Sequence, residues 1–206
     1  MGANQQMLLG ALGFTGAVHT YNSATPGSGS ETAPVGAAQC VVEAWGVGAG
    51  GFRDHALVGN FNAAPSGGYS KKTVAVTGGT TSFTYNTTST PGAGRTGGDG
   101  LGGDGSTNFV VSCASPSFTL TLGPAKASTN AGGTATGGDT NTAGNTDTSA
   151  SDGPAPGAPN GGSVTPTSNS AGAAGTGSTP GGGGGGQTGT GSGGAGGTWQ
   201  VTFTYT

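Results

Sequence analysis

Thr198-Trp-Gln-Val-Thr-Phe-Thr-Tyr-Thr206 reads as a strand, with Trp199, Val201, Phe203 and Tyr205 on one face and Gln200, Thr202 and Thr204 on the other. Strict alternation of large apolar and polar residues marks a half-buried strand. What precedes it is its opposite. From about Asn130 to Gly197 the chain is almost wholly Gly, Ser, Thr, Asn, Ala and Pro, with one Val (Val164), no aromatic residue, no cation, and the run Gly181–Gly186. Such a tract cannot build an ordinary core. A flexible linker joins one body to another, yet this one runs into a single well-patterned strand, so it is expected to pack. Glycine runs form left-handed polyproline-II-type helices with three residues per turn and a rise of about 3.1 Å. Having no side chains, such helices can lie backbone against backbone, with N–H and C=O groups bonding between neighbours.

Upstream, further strands are expected. Cys40-Val-Val-Glu-Ala-Trp-Gly-Val47 alternates weakly, with Val41, Glu43, Trp45 and Val47 on one side. Tyr69 to Thr77 sets Val74 and Val76 against Thr73, Ala75 and Thr77. Ser82–Asn86, Asn108–Cys113 and Ser117–Leu122 follow, the last with Phe118, Leu120 and Leu122 in register. No window shows convincing helical periodicity, the first dozen residues aside. The expectation is an all-β fold: a small antiparallel β-sandwich-like framework with long Gly-rich loops, open to packing as polyglycine-II helices. About six short strands are marginal alone, so either the Gly-rich segments or identical chains must pack against them.

Composition narrows the function. Of 206 residues 49 are Gly, only 6% are charged and 31% hydrophobic, and the net charge is −3. Five scattered Lys and Arg cannot neutralise a phosphate backbone, which argues against nucleic-acid binding. There is no polybasic patch for a membrane surface. Cys40 and Cys113 each sit in a strand-like run and are expected as buried thiols, a disulfide being the alternative.

Several motifs fail their own requirements. Gly46-Val-Gly-Ala-Gly-Gly51 fits G-x-G-x-x-G after a strand. The dinucleotide fingerprint also needs a following helix and an acidic residue about 20 positions on, and neither is expected here. Gly100-Leu-Gly-Gly-Asp-Gly105 fails likewise. Gly97 to Gly105 hints at a calcium β-roll repeat but has Gly102 where that repeat needs Asp; Asp99 and Asp104 are read as turn aspartates. His55 beside Asp54 does not make a base and its orienter, since neighbours in a strand face opposite ways. Asn86-Thr-Thr88 is a glycosylation sequon that matters only in a eukaryotic secretory setting. No catalytic, cofactor-binding or metal residue is assigned, and an enzyme is not expected.

The first 36 residues are read as an attachment segment and linker: the apolar run Met7 to Val18, then a Pro/Gly/Ser stretch from Thr20 to Gly36. The run is too short to span a bilayer and is expected to dock on the rest of the chain or on a partner. Residues 37–206 form the glycine-rich β domain, with the tract 130–197 and the closing strand 198–206.

The order of pieces resembles a known family. Val41-Val-Glu-Ala-Trp-Gly-Val-Gly-Ala-Gly-Gly51 is followed by Ser66-Gly-Gly-Tyr-Ser-Lys-Lys-Thr-Val-Ala-Val76, then Gly102-Gly-Asp-Gly-Ser-Thr107 and Gly132-Gly-Thr-Ala-Thr-Gly-Gly-Asp-Thr-Asn141. This resembles the glycine-rich domain of tailed-bacteriophage tail fibres and adhesins, over residues 40 to 206. The stretch Ser149 to Pro180 is less glycine-pure than the layered tips of that family. The resemblance implies a virion structural protein, a tail-fibre or tail-tip subunit that recognises the host surface through its Gly-rich loops. It implies attachment to other virion proteins through the N-terminal segment, and a cell-surface glycan or outer-membrane protein as the target. A homotrimer is expected, because thin strand layers need partners. A capsid decoration or head fibre is the alternative, and an ice-binding polyproline-II bundle a more distant one.

Overall fold

A computed structural model describes residues 13–23, 27–54, 62–97, 100–146, 148–149, 177, 180–188 and 191–206. His55, Asp99, Val164 and residues 1–12 lie outside the described residues, as does most of the stretch Ser149 to Pro180.

The described chain is all-β. One sheet runs β1 (Ala17–Ser23), β14 (Trp199–Tyr205), β3 (Gln39–Trp45), β6 (Tyr69–Ala75) and β11 (Thr140–Thr142). The other runs β10 (Ala135–Thr136), β9 (Phe118–Leu122), β8 (Phe109–Cys113), β7 (Ser82–Thr87) and β2 (Gly27–Thr32). All pairings within both sheets are antiparallel. Two short ladders lie beyond them: β12 (Thr148–Ser149) with β5 (Asn62–Ala63), and β13 (Gln187–Thr188) with β4 (Arg53–Asp54).

The inner faces meet in a core of Val42, Phe83, Phe109, Val111, Leu120, Leu122, Val201 and Phe203, all fully buried. Burying each such side chain contributes about 1.5–3 kcal/mol. Across the sheets, the Phe83 ring centroid lies 5.1 Å from that of Phe203, and that of Phe109 lies 5.0 Å from that of Trp199. Trp199, Val201, Phe203 and Tyr205 all point inward, as their alternation demands.

Two expectations need correction. Residues 17–23 and 27–32 are strands rather than linker: Ala17–Ser23 pairs along its length with β14, and Gly27–Thr32 with β7. Gly-Ser-Gly-Ser reads as flexible, but here the alternation is steric. A Cβ on Gly29 would lie 2.3 Å from the Tyr85 hydroxyl, so glycine makes room for the inward tyrosine. In β3 the face turned to the core is Cys40, Val42 and Ala44 rather than Val41, Glu43 and Trp45. Trp45 is also buried, but in a separate pair with Tyr69, ring centroids 5.1 Å apart. The strand is covered on both sides, so its alternation is blurred.

Candidate recognition surface at the end of a glycine bundle

The connections at one end of the sandwich do not turn back at once. They extend outward as Gly-rich segments and bond to each other. Residues 46–51 form the centre. Gly46 donates to the carbonyl of Gly68 and Ala49 to that of Pro65; Gly48 donates to Gly197 and Gly51 to Gly194; Gly50 donates to Gly103. In return, Gly48 and Gly51 accept from Gly92 and Arg95, Val47 from Ala125, and Ala49 from Gly184. Toward each neighbour with two bonds the partners step by three, which is the repeat of a polyproline-II-type helix.

Six segments therefore surround one, and they also bond around the ring. Ala64 and Gly67 donate to Gly184 and Gly181, Gly194 and Gly197 to Gly185 and Gly182, Gly193 and Gly196 to Arg95 and Gly92. Gly103 and Ser106 donate to Ala93 and Thr90, Gly105 to Ala125, and Gly68 to Gly123. Segments 131–134 and 143–146 add a further row, through Gly133 to Ser66 and Gly144 to Gly133. This is hexagonal packing without side chains. A Cβ on Gly48 or Gly51 would stand 1.9 Å from the carbonyl oxygen of Gly182 or Gly185.

This arrangement disposes of the dinucleotide fingerprint. Gly46–Gly51 is buried throughout, the amides of Gly46, Gly48, Ala49, Gly50 and Gly51 are bonded to neighbouring segments, and no helix follows among the described residues. Of the two aspartates weighed for calcium, only Asp104 is described. Its carboxylate accepts from the Ser128 amide at 2.8 Å and the Ser128 hydroxyl at 2.7 Å, with Lys126 Nζ at 3.9 Å. Burial alone would raise its pKa, but the Ser128 bonds and Lys126 outweigh that and hold it below the usual carboxylate range. Asp104 thus ties the 101–106 segment to 126–128. Among the described residues no group of three or more His, Cys, Asp or Glu gathers to hold a metal.

At the far end of the bundle, where Arg95 is exposed beside Gly100, lies an apolar notch. Phe52, Pro65, Ala127 and Asn130 line it beside Gly50 and Gly102, and Leu101, 56% exposed, stands at its edge. Val18 and Val35, the other two large apolar residues exposed among the described ones, lie at the opposite end of the molecule. Asn130 holds a left-handed φ of 49°, a conformation that asparagine tolerates better than most residues.

A second cluster, at the edge of the sandwich, had no signal in the alternation because Glu31 and His19 fall in the stretch read as linker. Glu31, only 6% exposed, accepts from Tyr21 Oη at 2.6 Å and Tyr205 Oη at 3.0 Å, and its Oε1 lies 2.8 Å from His19 Nδ1. Glu31 stands on β2 and its partners on β1 and β14, so the carboxylate latches one sheet to the other. The hydrogen bond from Tyr21 to Glu31, with burial second, pushes the Tyr21 hydroxyl up to about 12. The group forms a structural clasp, with the carboxylate held by its donors.

Cys40 and Cys113 are both buried and unbridged. Burial pushes the Cys40 thiol up to about 12, so almost none of it is thiolate at neutral pH. The folded protein is expected to leave both thiols unmodified by iodoacetamide at pH 8, and the chain in denaturant to be alkylated at both; mass spectrometry reads the difference. Rapid labelling of Cys40 in the native state would contradict this burial.

The chain matches no protein-family model and no curated protein.

Proposed function

We propose that this chain is a bacteriophage virion protein, a tail-fibre or tail-tip subunit that presents its glycine bundle to the host surface. The observation that carries the reading is the polarity of the molecule. The chain comes in at Phe14, which packs on the core beside Gly36 at the end of the sandwich away from the bundle. Val18, 63% exposed, and Val35, 84% exposed, lie at that same end. Exposed apolar side chains on the side where the N-terminal segment enters suit attachment to a carrier. The distal end offers backbone and side-chain hydrogen-bonding groups, with the Arg95 guanidinium beside the notch, on segments held by the bundle's hydrogen bonds, which suits contact with sugars or receptor loops.

The test is the position of the chain in an intact particle, read by electron cryo-microscopy, joined to an adsorption assay. Leu101→Asp is expected to slow adsorption about tenfold or more, since a charge in an apolar contact is costly, while leaving particle assembly unchanged. Copies spread over a capsid shell, with adsorption unaffected, would replace this reading with decoration. A protein that never associates with particles would end both.

A further inference from the structure

We propose that the outward face of the second sheet carries a binding groove for an uncharged oligosaccharide, separate from the distal end of the bundle. The pairing register lines up the outward side chains in ranks. Ser30, Thr84, Ser112 and Thr119 form one; Ser28, Asn86, Val110, Thr121 and Thr136 form the next. None of these residues is charged.

Within this face, Thr84, Asn86, Thr88, Asn108, Val110 and Ser112 line a shallow groove of about 370 Å³. Its relief follows from their exposure. Thr84, Asn86, Thr88 and Asn108 stand exposed, while Val110 and Ser112, on β8 beside Asn86 and Thr84, are half-buried. The Thr84 and Ser112 hydroxyls bond to each other at 2.9 Å, and Thr88 bonds to Thr107. Such pairs hold the hydroxyls in place yet leave each with further capacity to donate or accept.

The chemistry selects the ligand. Asn side chains and hydroxyls both donate and accept, so they match a group that does the same. A sugar hydroxyl is such a group. Val110 gives the floor an apolar patch against which the C–H face of a ring can lie. A phosphate, sulfate or uronate would find no cation here, so charge complementarity selects a neutral ligand. The three levels, from Thr88 and Asn108 to Thr84 and Ser112, span about 13 Å at two residues per step, room for a few rings laid along the strands. The site lies on the side of the sandwich and does not depend on a role in a virion.

Calorimetry and saturation-transfer NMR with maltohexaose, cellohexaose and mannohexaose would test it, with polygalacturonate as the anionic comparison. At least one neutral hexaose is expected to bind. The Asn86→Ala/Asn108→Ala variant is expected to bind it at least about tenfold more weakly, as loss of two hydrogen bonds implies. Val110→Thr, nearly the same shape, is expected to weaken binding severalfold, and Leu101→Asp to leave it within twofold. These residues are on the surface, so the thermal midpoint reports whether each variant stays folded. Binding by none of the three hexaoses at millimolar concentration would overturn the proposal. So would binding unchanged in the double variant, preference for polygalacturonate, or sedimentation showing this face buried between two copies.

Discussion

Gly48→Ala is expected to destabilise the protein by about 3 kcal/mol or more, the upper end of overpacking costs. The added methyl would sit 1.9 Å from the carbonyl oxygen of Gly182 and 2.6 Å from its carbon. These are backbone atoms, so no rotamer change can yield space. The opposing effect is smaller: Gly→Ala removes conformational freedom from the unfolded chain and stabilises by about 0.4–1 kcal/mol. The clash wins. Gly51→Ala meets the same neighbour one turn on, at Gly185, so the pair should be less than additive once that segment has been displaced. The comparison is Gly97→Ala, where nothing lies within 4 Å and a change within about 0.5 kcal/mol is expected. Denaturant unfolding of the three variants decides it. If Gly48→Ala behaves like Gly97→Ala, the bundle is not packed as described.

Glu31→Ala has the second large expected effect, about 3 kcal/mol, because it leaves hydroxyls on two strands without their acceptor. Tyr205→Phe is expected to cost about 1–2 kcal/mol. The double variant should cost less than the sum, since the second change removes a group already stranded. The clasp also sets an alkaline limit. The Tyr21 hydroxyl is raised from 10.0 to about 12 in the folded state, so its contribution is intact below pH 10. It is lost as pH climbs from 10 to about 12, where the unfolded chain ionises first and is favoured. Wild-type unfolding followed across this range should show that loss, and Glu31→Ala should show a shallower one.

The parts of the fold that were readable in the sequence are those where side chains do the packing. Phe118, Leu120 and Leu122, and Trp199 through Tyr205, alternate because one face meets the core and the other meets water. The edge strands were not readable. Ala17–Ser23 carries a histidine and a tyrosine at its inward positions, where they meet Glu31 of β2, and Gly27–Thr32 carries glycines because Tyr85 of β7 fills the space beside them. The three-residue habit of the glycine segments followed from composition, but their neighbours did not. Glycine offers no side chain to specify a partner, so register in the bundle is inherited from the strands that launch each segment. The distal notch is equally hidden: Phe52, Pro65, Leu101 and Ala127 come from four segments that only the hexagonal packing brings together.

Consider when this architecture can be completed during synthesis. β14 lies between β1 and β3 in the first sheet, and residues 181–185 and 193–197 supply two of the six segments around the central one. Until these residues have been made, the first sheet lacks its second strand and the central segment is open on one side. Folding of the whole is therefore a late event. A nascent chain stalled before Gly181 should remain sensitive to protease along residues 46–51, which the finished molecule encloses.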